Sequence, residues 1–162
     1  MSEFMEKRKC IAAIKIRGTI RAPLEVRETL RMLNLKRTNY AILIDDRPSF
    51  IGMLRTAQNY VTWGEISKDT IALLIEKRGR LAGNKKITEE YLQEIGYKSI
   101  DELAEDIFNC KVEYWKLPGI QPYFRLHPPT KGFRGKIKKS YSMGGELGYR
   151  GETINELIRR MI

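Results

Sequence analysis

The chain has 162 residues, 42% of them hydrophobic, enough for one cored domain or one domain with a substantial insertion, which excludes a wholly disordered chain. Its 30 Lys and Arg against 20 Asp and Glu leave a net charge of +10 and a pI near 9.7, pointing to a polyanionic partner, nucleic acid before an anionic membrane surface. No apolar run approaches the roughly 18 residues of a membrane span and no signal-peptide core opens the chain, so a cytoplasmic protein without membrane contact is expected.

Cys10 and Cys110 stand apart without CxxC spacing and read as reduced thiols. His127 is the single histidine, so no metal centre is expected.

Residues 1–9 mix charge and polarity and read as a ragged arm. The next segment alternates: Cys10, Ala12, Ile14 and Ile16 share one face, and Lys15 and Arg17 point to the other. A first strand with a covered apolar face and an open basic face is expected. Pro23, at the expected first helical position, opens a helix whose stripe is Val26, Leu30 and Leu33. Arg27, Arg31 and Asn34 run along its flank, open to solvent or to RNA.

Residues 39–46 predict a second strand, with Asp45 and Asp46 as turn formers before Pro48 rather than a catalytic pair, since adjacent strand residues face opposite ways. A second helix follows, with Ser49 as its expected N-cap. Gly52 lies inside it, where glycine costs about 1 kcal/mol relative to alanine. Such a glycine allows close approach of another backbone, whether the sheet beneath or an RNA outside. A third short strand places Val61 and Trp63 together. The first half is therefore β-α-β-α-β, a small layer of strands with helices on one face.

After Glu65 the period becomes helical. Ser67 precedes a helix that Gly79 should stop, residues 77–86 form a second basic, glycine-bearing loop open to RNA contact, Thr88 caps a short helix, and Ser99 to Glu102 have capping-box spacing. Residues 88–113 hold eight acids and only Lys98 and Lys111 as bases, leaving 28 basic against 12 acidic residues elsewhere. The acidic part should face solvent or protein, away from a polyanion.

Residues 122–127 predict an extra strand, and Ile154, Leu157, Ile158 and Met161 form the inward stripe of a closing helix. Between them lies the most distinctive stretch. From Tyr114 to Gly145 there is no acid, but Lys116, Arg125, Lys131, Arg134, Lys136, Lys138 and Lys139 all occur. Tyr123, Phe124, Phe133 and Tyr141 are interleaved, offering stacking surfaces beside phosphate-seeking groups. Pro128 and Pro129 keep the loop's first residues extended. Gly144 to Gly148 read as a tight turn. The expected organisation is residues 9–66 as a β-α-β-α-β core, 67–113 as a helical, acidic extension, and 114–162 as a C-terminal strand, basic loop and helix.

Catalysis finds no support. His127, the only histidine base, is flanked by Leu126 and Pro128 among cations, no nucleophile elbow or phosphate-binding glycine loop occurs, and the carboxylates do not converge.

AAIKIRG, TLRMLNL, IGML, YVTWGEI, FRLHPPTKGF and GGELGYRG occur in this order. Together they resemble the large-subunit ribosomal protein L-thirty family in its long archaeal form, whose eukaryotic counterpart is L-seven. The resemblance covers about Lys9 to Ile162, and the shorter bacterial members correspond to the first half only. It implies a three-stranded sheet with two helices, related to a partial ferredoxin-like α+β fold, plus a helical and C-terminal extension. It also implies a non-catalytic structural constituent of the large subunit, without cofactor or small-molecule substrate. Such a protein sits as a monomer on large-subunit rRNA beside neighbouring ribosomal proteins.

Carried over by motif, RNA contacts fall on Lys15 and Arg17, on the Gly52–Met53 element, and on the loop from Arg125 through His127, Lys131, Phe133, Arg134 and Lys136 to Lys138 and Lys139; Tyr141, like Tyr123 and Phe133, is a ring expected to meet unstacked bases. The family commonly has Arg before the Gly-Met pair. This chain has Ile51, and Arg55, one turn later, is the expected substitute. A free-standing RNA-binding regulator would use the same basic surface, but the sequence carries no zipper or recognition-helix signature.

Overall fold

The computed structural model describes residues 8–162; the expected N-terminal arm lies, except for Arg8 and Lys9, outside the described residues. Strand β1 (Cys10–Lys15) runs antiparallel to both β2 (Tyr40–Asp45) and β3 (Val61–Glu65), so the three predicted strands form the centre of the sheet in the order β2-β1-β3. Helices α1 (Leu24–Met32) and α2 (Pro48–Thr56) connect them and cover one face. Arg47 is the N-cap of α2 with Pro48 in the first turn, so the expected Ser49 cap is two residues too late. Likewise Pro23 is the N-cap of α1 and Leu24 its first helical residue.

Three further strands extend the sheet to six, in the order β6-β2-β1-β3-β8-β7. β6 (Tyr123–Arg125), the predicted extra strand, pairs antiparallel with β2. β8 (Gly145–Tyr149) pairs parallel with β3, and β7 (Lys136–Ser140) lies outside it with a register break. The segment read as a tight turn is thus strand β8. Its two glycines and single aliphatic residue give no strand pattern, and its partner β3 lies more than 80 residues away in sequence.

The second face is covered by the extension. Helix α3 (Lys68–Arg78) is capped by Ser67, whose Oγ accepts from Thr70 N, and is followed by Gly79 in extended rather than left-handed backbone. A small hairpin, β4 (Arg80–Leu81) with β5 (Lys85–Lys86), replaces the expected basic loop, turning through Gly83 and Asn84, both at positive φ. Helix α4 (Glu89–Glu94) is capped by Thr88 and α5 (Ile100–Phe108) by Ser99. The capping box of α5 is incomplete, because Glu102 Oε2 accepts from Lys98 N rather than from Ser99 N. Helix α6 (Ile154–Met161) buries all four residues of its predicted stripe.

The sheet therefore separates two apolar clusters. Ile11, Ala13, Ile42, Ile44 and Trp63 pack with Val26, Leu30 and Leu54 of α1 and α2. Cys10, Ala12, Ile14, Ala41 and Leu43 pack with Ile71, Leu74 and Ile75 of α3, Leu103 and Ile107 of α5, and Ile154, Leu157, Ile158 and Met161 of α6. Every residue of β1 is buried. The expected open basic face of β1 does not exist: Ile11 and Ala13 share it with Lys15, and α1 and α2 lie over it.

Where β3 meets the start of α6, the chain has no room for a side chain. A Cβ on Gly64 would stand 1.9 Å from the carbonyl oxygen of Gly151. Backbone against backbone cannot yield by a rotamer change, so Gly64→Ala is expected to destabilise the protein by about 3 kcal/mol. Urea denaturation should show this as a lowered midpoint at unchanged slope.

Candidate nucleic-acid interface

The strand directions gather one set of termini. The end of β1, the starts of β2, β3 and β8, and the end of β6 all lie at one end of the sheet, as Lys15 opposite Val61 and Arg125 opposite Tyr40 show. Helices α2, α3 and α6 each follow a strand that finishes at the opposite end, and each carries bases in its last turn: Arg55, then Lys77 and Arg78, then Arg159 and Arg160. Cations there complement the partial negative charge of a helix C-terminus. At α6 this end also meets α3 and β6, since Ile162 O accepts from Arg78 Nη2 at 3.2 Å and from His127 Nε2 at 2.8 Å.

Lys15 is only 4% exposed. Its Nζ donates to Thr19 Oγ1 at 3.1 Å and to the Lys36 carbonyl at 3.2 Å, and burial lowers its pKa. It joins the β1–α1 and α1–β2 connections from inside, which removes it from the outward-facing set. Arg17 is half-buried against Tyr60, 5.2 Å from ring centroid to Cζ, with Nη1 donating to Asn59 O. Arg125 is exposed, over the ring of Tyr123, which itself stacks on Tyr40 at 4.8 Å. Arginine and tyrosine faces thus alternate along this end, the combination that phosphates and unstacked bases both favour.

The long loop has a fixed foot and a free arm. At the foot, His127 N donates to Met161 O at 3.0 Å and Thr130 N to Arg160 O at 2.9 Å. Arg160 returns bonds to Thr130 O at 3.2 and 3.0 Å and to Gly132 O. Phe133 packs against the core beneath. His127 and Phe133 therefore anchor the loop, and Phe133, expected as a stacking surface, is a half-buried ring packed on the core. The arm is β7: Lys136, Lys138 and Lys139 are exposed, as are Lys131 and Arg134, the last paired with Glu156 at 2.8 Å. Tyr141 and Met143 follow, 39% and 76% exposed.

On the α1–α2 side, Arg27 and Arg31 are exposed, with Arg31 paired to Glu28 at 2.7 Å. Gly52 is exposed, a Cβ there would meet nothing within 4 Å, Met53 is half-buried against the α1–α2 core, and Arg55 is exposed. The sheet beneath therefore does not explain Gly52. Lys77 and Arg78 belong to the basic 77–86 segment read from the sequence as open to RNA, and they close α3, whereas the basic last turn of α6 has no counterpart in that reading. Lysine or arginine pairs closing an amphipathic helix were the available signal.

At the opposite end the acids are paired internally with cations. Asp45, 4% exposed, accepts from Arg47 Nε at 2.8 Å and Nη2 at 2.7 Å, and lies 3.6 Å from Arg8. Arg47 also bonds Glu113 and stands over the rings of Phe50 and Trp115. Asp45 is more than a turn former. Burial pushes its pKa up, but the hydrogen bonds and charge of Arg47 and the charge of Arg8 outweigh this and hold it below the usual value. Glu113 is likewise held low, chiefly by Lys116, against burial, and by Arg47.

The result is a layered α+β protein with cations from separate elements collected at one end of a mixed sheet and a paired cluster of acids and cations at the other. Among the described residues there is no helix long and apolar enough to cross a membrane, and no group of three His, Cys, Asp or Glu placed to hold a metal. Residues 11–61 match the family described as ribosomal protein L30p/L7e. Similar chains named large ribosomal subunit protein uL30 occur in Methanopyrus kandleri (48% identical over 149 residues, 91% of this chain and 100% of that one) and Ignicoccus hospitalis (50% over 157 residues, 96% and 99%). Another occurs in Methanosphaera stadtmanae (47% over 152 residues, 93% and 99%). The chain belongs to the ribosomal protein L30p/L7e family. It is a structural, non-enzymatic protein, and the family match lies in the β-α-β-α-β half while the similarity to the relatives runs through both halves.

The Asp45–Arg47–Glu113 group sets an acid limit on the fold. Both carboxyls have folded-state pKa values below their ordinary 3.8 and 4.5, so their contribution is fully present above about pH 4.5 and is lost as pH falls through the folded values. Arg47→Met is expected to move the acid-unfolding midpoint upward, and a circular-dichroism titration from pH 6 to 2 checks it.

Proposed function

We propose that this protein is a component of the large ribosomal subunit that binds large-subunit rRNA through the basic end of its sheet and the β7 arm, in the cytoplasm, as a single copy. The observation that carries this reading is the convergence of cations from separate elements, Arg17, Arg55, Arg125, Lys136, Lys138, Lys139 and Arg159, on one end of the molecule. Six of its exposed acids, Glu89, Glu90, Glu94, Asp101, Glu102 and Glu105, lie instead on α4 and α5. The names of the relatives support it. Phosphate neutralisation supplies affinity, and specificity comes from RNA shape, 2′-hydroxyls and unstacked bases meeting exposed rings such as Tyr141.

Lys15, buried beneath α1 and α2, supports the surface rather than touching RNA, so the reading uses the end of the sheet and not its face. Gly52, open on α2, admits an RNA backbone. Neighbouring ribosomal proteins meet the acidic helices α4 and α5.

With about seven phosphate contacts, log affinity for an rRNA fragment should fall with log salt by a slope of roughly −5. A flat response overturns the phosphate-contact reading. Lys136→Glu with Lys138→Glu is expected to leave folding intact and abolish incorporation into large subunits on a sucrose gradient, and Glu102→Lys to be nearly silent. Equal effects from both remove the polarised-surface argument.

Gly52→Ala separates folding from binding. In the free protein it should stabilise α2 by about 0.5–1 kcal/mol. Purified subunits should nevertheless incorporate it less well than wild type in a competition experiment.

A further inference from the structure

The arm that carries the densest cations is a marginal structure by itself. β7 exposes four of its five residues, three of them lysines, so mutual repulsion and chain entropy both favour its leaving the sheet. Two contacts bracket it, and both lead to one buried ion pair. Glu146 and Arg150, on and just after β8, are 4% and 8% exposed, and Arg150 Nη2 bonds both Glu146 Oε2 and the Glu146 carbonyl, the latter at 2.7 Å. Arg150 Nε donates to Thr62 Oγ1 at 2.8 Å, and Thr62 Oγ1 donates to Gly148 O at 2.8 Å, which fixes the pair to β3.

From this base the pair reaches outward on both sides of β7. Immediately before the strand, Gly135 N donates to Glu146 Oε1 at 2.8 Å. Immediately after it, the ring of Tyr141 lies over the Arg150 guanidinium, 5.0 Å from Cζ to the ring centroid. The backbones between are in tight contact, since a Cβ on Gly145 would stand 2.0 Å from Lys139 O. Neither charge of the pair is open to solvent, so neither is a phosphate ligand.

We propose that Glu146 and Arg150 are positioning residues for RNA binding. Together with Thr62 they form a buried clamp that holds Lys136, Lys138 and Lys139 as a preset row, so that the three bind phosphates as one group. The part of this concerning affinity rests on the rRNA-binding reading above; the part concerning the arm's order does not.

Removing one partner leaves an unpaired buried charge, and Glu146→Ala or Arg150→Ala is at risk of not folding. The decisive variant therefore replaces both: Glu146→Met with Arg150→Met fills the site with apolar groups of similar length, a change that buried ion pairs tolerate. Two measurements are made on the full-length protein. Amide hydrogen exchange should show residues 135–145 exchanging at least tenfold faster than in wild type, with the protection of β1 and β2 unchanged. Titration of an rRNA fragment against salt should show the slope weaken by about 2, the share of three lysines at the single-strand coefficient.

A purely structural role would lower the melting temperature without moving the salt slope. Wild-type exchange in residues 135–145 in the double variant would overturn the clamp outright. Faster exchange with an unchanged slope would overturn the claim that it positions the lysines for phosphate. If wild type itself shows no steep salt dependence, the rRNA-binding reading fails, and the exchange experiment still decides whether the clamp orders the arm.

Discussion

Strand β1 presents apolar side chains to both faces of the sheet, and both faces must be kept from water. Ile11 and Ala13 point one way and Ala12 and Ile14 the other, all at or below 3% exposure. Burying an isoleucine contributes about 1.5–3 kcal/mol, so a single covering layer would leave roughly half of that gain unrealised. The β-α-β-α-β half supplies α1 and α2 to one face only. The second layer comes from α3, α5 and α6, so the extension is part of the same core. This arrangement also sets the ends of the molecule, because a helix laid on the sheet must begin near one end and finish near the other.

That constraint explains which parts of the fold were legible in sequence. The three central strands, the helical stripes of α1 and α6, and the Ser67, Thr88 and Ser99 caps follow from local patterns, and the structure has them. The alternation in β1 was misleading for an identifiable reason. Residues 10–14 are Cys-Ile-Ala-Ala-Ile, an unbroken apolar run. Such a run marks a strand covered on both sides, whereas Lys15 and Arg17 suggested one open face. The strand β8 was hidden because its Gly-Glu-Leu-Gly-Tyr sequence has no strand signature, and its order depends on a parallel partner and on a buried pair formed with Thr62.

The candidate site was legible as composition rather than as geometry. The acid-free stretch from Tyr114 to Gly145 marks the basic segment, and three of its exposed lysines lie on β7. What the chain order could not display is that Arg17, Arg55, Arg125 and Arg159, spread over more than 140 residues, share one end of the sheet with that segment. Their meeting follows from strand direction, which is a property of pairing partners far apart in sequence. Lys15 is the instructive exception: its position in the sequence placed it with Arg17, but a strand residue two positions earlier lies under the helices rather than beyond them.

A cationic arm faces opposed demands. On the proposed function its lysines must be exposed to meet phosphate, but exposed like charges spread apart and an unconstrained arm gives up conformational entropy on binding. Placing the ordering contacts outside the arm resolves the conflict. The Gly135 amide and the Tyr141 ring are held by a pair whose own charges cancel in the interior, so the arm is fixed without any acid beside its lysines. An acidic partner on the surface would also have ordered β7, but it would have neutralised the charge the arm presents. This accounts for the placement of Glu146: it is the first acid after a long basic stretch, and it is buried.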